Sequence, residues 1–225
     1  MLGIRSETGQ AAPLYITAVV GLLFFALVFF AFGEAGVQRN GAQSAADASA
    51  LAAAKESRGL LEADLKTHLA DPDFIASVFS PSFLGSPENS CWKASAFGAL
   101  NKASAVRCRP LTDGRWGYEV SLKSDKGMST NIVPGTEGKK AEAQAVAVVE
   151  PRCSFAPEPE DTPEPESTPD PGSSPETDED SDPETPAAPV GKVRCDGGKE
   201  WTVDPEDPTL MPDVADLFSV HLAEK

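Results

Sequence analysis

The chain predicts an α+β protein in which a long N-terminal transmembrane helix continues into an alanine-rich helix and carries a small antiparallel-sheet domain outside the membrane. A disordered, acidic, Pro-rich insertion interrupts that domain. Three observations carry this reading. Residues 11–33 (AAPLYITAVVGLLFFALVFFAFG) hold no charge, and 23 residues at about 1.5 Å each reach roughly 34 Å, enough for a hydrocarbon core of about 30 Å. No proline follows until Pro72, and the stretch between is rich in alanine, the strongest helix former. Farther on, Trp116, Tyr118, Val120 and Leu122 alternate with Gly117, Glu119, Ser121 and Lys123, the period of a half-buried strand.

The apolar run exceeds the 7–15 residues or so typical of a signal peptide, so it reads as an anchor. A small-residue site, Ala31-Phe32-Gly33 before Glu34, leaves the alternative of cleavage there. The ten residues before the run include Arg5 and the initiator amine, and a slightly positive flank stays in the cytoplasm. The expected order is a cytoplasmic tail over 1–10, a membrane helix over 11–33, an extracytoplasmic domain over 34–155, the insertion over 156–189, and the rest of the domain over 190–225.

Residues 34–70 read as helix. Small residues recur at helical spacing at Gly41, Ala45, Ala48 and Ala52, and Ala31 with Ala35 forms a small-xxx-small pair at the outer boundary. Such a stripe permits close approach of a second helix, or of the protein's own domain. Leu60, Leu61, Leu65 and Leu69 supply a conventional apolar face, and Gly59 is a candidate bend between the halves. Residues 71–90, with three prolines, read as loop with apolar anchors at Phe74, Ile75, Val78, Phe79, Phe83 and Leu84. Residues 90–106 read as a short helix capped by Ser90, with Trp92, Ala96, Ala99 and Leu100 inward. A strand over 141–149 pairs with the one over 116–122; one more is expected around Trp201 and another over 216–223.

Residues 156–189 contain ten prolines and twelve acidic residues, with no Lys, Arg or aromatic. They cannot bury apolar surface and their charges repel, so they read as disordered. Of the net charge of −16, twelve units sit there, leaving −4 elsewhere. The remainder shows no Lys/Arg cluster, so nucleic acid is excluded as a partner. Thr-Pro and Ser-Pro pairs at Thr162, Thr168, Ser174 and Thr185 suit O-glycosylation.

All four cysteines, Cys91, Cys108, Cys153 and Cys195, follow the apolar run in an even count, as suits an oxidising compartment. Three connectivities are open. The favoured one pairs Cys91 with Cys108 and Cys153 with Cys195, the second clamping both ends of the insertion. The spacing fits no zinc site. Asp178, Asp180 and Asp182 begin like a calcium loop, but Pro183 stands where glycine is needed and Pro189 where glutamate is needed. Neither His68 nor His221 lies in a recognised catalytic motif. The expectation is no enzyme, no cofactor, no metal and no small-molecule substrate.

ETGQAAPLYITAVVGLLFFALVFF at 7–30 and QRNGAQSAADASALAAAK at 38–55 resemble the TadE/TadG-like family of tight-adherence pilus-assembly proteins, in its actinobacterial form. The resemblance implies a minor pilin-like subunit or accessory factor of a Flp pilus or related envelope secretion apparatus. Its partners would be other membrane or pilin-like helices and membrane lipid. Prepilin processing favours glutamate five residues after a glycine, whereas Leu14 follows Gly9 and Thr8 follows Gly3 at that distance; this favours an uncleaved scaffold. The alternative is a secreted or surface binding module, released near Gly33, whose acidic segment captures basic ligands or cations.

Overall fold

The computed structural model describes residues 11–85, 89–129, 135, 137–158 and 188–224. The expectations for the tail 1–10, and for the insertion over 159–187 with its Thr-Pro, Ser-Pro and Asp178–Asp182 features, lie outside these residues.

One helix, α1 (Ala11–Thr67), runs unbroken for 57 residues, about 86 Å at 1.5 Å per residue. Its N-terminal part is long and apolar enough to cross a membrane. There Leu14, Phe24, Phe29 and Phe32 point outward without protein partners to bury them. Gly59 does not end the helix: it lies inside α1 with nothing near where a side chain would be.

Beyond α1 come α2 (Pro72–Val78), α3 (Cys91–Leu100), β1 (Ala103–Pro110), β2 (Gly117–Gly127), β3 (Lys140–Pro151), β4 (Cys153–Pro157), β5 (Gly191–Cys195), β6 (Glu200–Val203), α4 (Val214–Leu217) and β7 (Phe218–Ala223). Two antiparallel sheets result, β1-β2-β3-β7 and β4-β5-β6. The alternation over 116–122 orients β2 as expected. Tyr118, Val120 and Leu122 are buried, opposite Ala147, Ala145 and Ala143 of β3.

The core is graded by side-chain size. Toward the membrane-length part of α1, alanine meets alanine: Ala42, Ala45, Ala46, Ala50 and Ala53 share one cluster with Ala143, Ala145 and Ala147. Such small side chains let a helix lie close to a sheet. At the far end Leu61, Leu65 and Leu69 meet aromatic rings. Phe79 stacks on Phe218 at 5.4 Å, Trp116 meets Phe218 edge-on at 5.6 Å, and Phe83 meets Trp116 edge-on at 5.3 Å. The Trp116 indole N–H donates to the buried Ser57 hydroxyl at 2.9 Å, the partner a buried indole requires. Gly85, at φ +84°, lies under the Trp116 ring, where any Cβ would collide with it.

Several local expectations are corrected. Residues 72–78 form a helix rather than loop, because Pro72 fits a first turn and the Asp71 carboxylate accepts from the Phe74 N–H at 3.0 Å. The helix expected over 90–106 ends at Leu100, and 103–110 is a strand. Ser90 occupies the cap position without a capping bond; the Asn89 side chain accepts from the Cys91 N–H instead. Trp92, Ala96, Ala99 and Leu100 face outward rather than inward, and Ala94 and Gly98 are the buried positions. The alanine face of α1 admits only small side chains there. The single strand expected around Trp201 is the β5–β6 pair.

Both disulfides join neighbouring elements. Cys91–Cys108 ties the start of α3 to β1, and Cys153–Cys195 joins opposed residues of β4 and β5. These are the pairings the sequence favours. The second brings the two ends of the insertion side by side, with Pro157 opposite Gly191.

Candidate functional site: the helical stem and its hairpin collar

The β2–β3 hairpin runs down α1 toward the apolar segment and is tied to it at three levels. The Gln43 amide donates to the Gln144 carbonyl at 3.1 Å, and the Gln38 amide donates to the Gly127 carbonyl at 2.9 Å. Lowest of all, the Ser129 N–H and hydroxyl both donate to a Glu34 carboxylate oxygen. Glu34 and Gln38 are one helical turn apart, so they share a face. Below these ties, Phe30, Gly33, Glu34, Val37, Gln38, Lys126, Gly127 and Ser129 line an apolar groove of about 480 Å³. The groove begins where the uncharged run ends.

The six small residues expected to pack against partner helices occupy different environments. Ala45, 1% exposed, belongs to the protein's own core, and Ala52 is buried at 6%. Ala31 is buried at 5%, beside the groove residue Phe30. Ala35 and Ala48 are half-buried, and Gly41 is exposed, with open space where a Cβ would project. The stripe therefore divides between an inner flank used by the fold and an outer flank at Gly41 and Ala48.

The sequence reading assigns no site role to Glu34, Gln38, Lys126 or Ser129. Gln38 and Glu34 meet Gly127 and Ser129, 89 and 95 residues away, a distance local periodicity does not reach. The one local signal is a pair of hydrogen-bonding side chains, Glu34 and Gln38, one turn apart just after an uncharged run.

The titrating groups are surface pairs. The Arg115 side chain, donating to Asp113, holds that carboxyl below its ordinary value. Lys123 does the same to Glu142, and Arg194 to Glu200. His68 contacts the Asp64 carbonyl and the Phe74 ring, and His221 lies on the exposed edge strand β7 near Glu150. Among the described residues no three His, Cys, Asp or Glu side chains converge as a metal site.

Fold and site together define a stem-and-head protein: one helix with an apolar N-terminal stretch long enough to cross a bilayer, continuing without a joint into an α+β head. Residues 9–56 match the family model described as "Putative Flp pilus-assembly TadE/G-like". Over this N-terminal part the chain is similar to the TadE/G-like family, as the resemblance at 7–30 and 38–55 implies. The match ends inside α1, just past the alanine block. No curated protein and no solved structure matches the chain.

Proposed function

We propose that the protein is a non-enzymatic, single-pass scaffold of Flp pilus assembly or a related envelope secretion apparatus. Its N-terminus is cytoplasmic and its head extracytoplasmic, with the domain division expected from the sequence. It acts by packing the outer flank of α1 against helices of other membrane or pilin-like proteins. The observation that carries this reading is the family match over 9–56, which covers both the apolar run and the alanine block. It is supported by the unburied apolar side chains of 14–32 and by the open flank at Gly41 and Ala48. The alternative, release near Gly33 as a binding module, gains no support, since residues 31–34 lie within α1 and Glu34 is tied to the head.

The test uses a photo-cross-linking residue at the exposed Ser44 in the full-length membrane protein. Gly41→Leu with Ala48→Leu is expected to abolish cross-links to partner proteins while insertion and both disulfides persist. Ala45→Leu is the contrasting variant: that side chain is in the head's own core, so overpacking of about 1–3 kcal/mol lowers the head's melting temperature. Partner cross-links that survive the Gly41/Ala48 double variant would overturn the packing mechanism.

A further inference from the structure

We propose that the groove between α1 and the β2–β3 hairpin holds one anionic phospholipid of the leaflet on the head's side, its acyl chain along Phe30 and Gly33, its glycerol region at Val37 and its phosphate at Lys126. The inference rests on the reading that residues 11–33 stay in the bilayer. Position supplies the first argument. From Phe30 to Gln38 the groove rises eight residues, about 12 Å along the helix. The headgroup layer adds roughly 5–8 Å beyond the hydrocarbon core on each side. With Gly33 at the boundary, Phe30 lies about 4.5 Å inside the hydrocarbon and Val37 about 6 Å into the headgroups. The groove thus opens onto lipid at its lower end and onto headgroups at its upper end.

Lining and charge supply the second argument. Phe30 is exposed at 66%, Val37 is likewise exposed, and Gly33 leaves open space where a side chain would project. These apolar walls start at Phe30, in the acyl-chain layer, and end at Val37, among the headgroups. At the rim the charges are segregated. The Glu34 carboxylate is turned to the hairpin by its two bonds from Ser129, whereas Lys126 is exposed and makes no ion pair among the described residues. A lysine facing an anionic headgroup is worth about fivefold in occupancy. A soluble anion would lack the apolar half of these contacts.

The experiment reconstitutes the full chain into phosphatidylcholine nanodiscs carrying a small fraction of phosphatidylglycerol or of phosphatidylcholine with a photoactivatable acyl chain. Adducts are mapped by peptide mass spectrometry. Expected are adducts on peptides containing 126–129 as well as on 14–38, with phosphatidylglycerol favoured about fivefold at 126–129. Gly33→Phe, which fills the groove floor from an open position, should remove the 126–129 adducts. Lys126→Gln should remove only the phosphatidylglycerol preference. Adducts along 14–32 with none at 126–129 would overturn the lipid groove and leave the anchor standing. No adducts at 14–32 would overturn the anchor, and the groove with it.

Discussion

Gly98 of α3 offers a quantitative test of how tightly α3 packs on β1, because two competing effects there have opposite signs. In an open helix interior, Gly→Ala stabilises by about 1 kcal/mol. At Gly98 the added methyl would lie 2.6 Å from Val106 Cγ2 and 3.4 Å from Ser49 Oγ. Val106 is β-branched and half-buried on β1, and β1 is pinned to α3 by Cys91–Cys108, so it yields only by shifting backbone or leaving its rotamer. Overpacking of that kind costs about 1–3 kcal/mol, so Gly98→Ala should destabilise by about 1 kcal/mol net. Gly59→Ala, in α1 with nothing within 4 Å, should instead stabilise by up to about 1 kcal/mol. The same substitution at two helical glycines thus differs by about 2 kcal/mol in outcome. Thermal unfolding of the full chain in detergent, followed by Trp fluorescence with the disulfides intact, reads each kcal/mol as about 2–4 °C. In the Gly98→Ala background Val106→Ala should cost less than it does alone, by about 1 kcal/mol or more. A Gly98→Ala variant as stabilised as Gly59→Ala would refute close packing of α3 on Val106 of β1.

Two further outcomes follow from the disulfides and the surface ion pairs. Cys153 and Cys195 are separated by 42 residues and Cys91 and Cys108 by 17. In the chain-entropy account, replacing both cysteines by alanine costs about 4 kcal/mol for the first bridge and about 3 kcal/mol for the second. Melting of the two double variants checks this, and a larger loss from the shorter loop would contradict it. Asp113, Glu142 and Glu200 have carboxyl pKa values lowered by their Arg and Lys partners. A lowered folded-state value adds stability that is complete above the unfolded value and disappears as pH falls through the folded one. The melting temperature should therefore hold down to the ordinary values of 4.5 for Glu and 3.8 for Asp, then decline. The triple variant Asp113→Asn, Glu142→Gln, Glu200→Gln should decline less steeply, and an unchanged slope would mean that other groups govern acid lability.

The legible parts of the molecule were those written in local periodicity. The uncharged run, the alanine block and the alternation from Trp116 to Leu122 each declare an element and a face without reference to distant residues. Hidden features depended on what lay opposite. On α3 the large side chains Trp92 and Leu100 carry the stronger hydrophobic signal, yet they are 57% and 77% exposed, because the alanine face of α1 accepts only Ala94 and Gly98. Strand β1 was obscured by its own irregularity: Lys102 and Ala105 adopt positive φ and the register slips between Ser104 and Arg107, which breaks the alternation. The seven-residue α2 was masked by prolines, although Pro72 after Asp71 is a start signal rather than a stop. The groove joins α1 to a hairpin about ninety residues later in the chain, a relation only the folded sheet creates.

The unbroken helix, bolted to the head at Glu34, Gln38 and Gln43, makes the protein a lever with no elbow. About 51 Å of α1 extends past Gly33. With residues 11–33 spanning a bilayer as proposed, a tilt of about 20°, an ordinary value for a single span, would swing the distal end sideways by roughly 17 Å and carry both sheets along. In that arrangement, changes in bilayer thickness or in a neighbouring helix's angle would be converted into displacement of the surface farthest from the lipid.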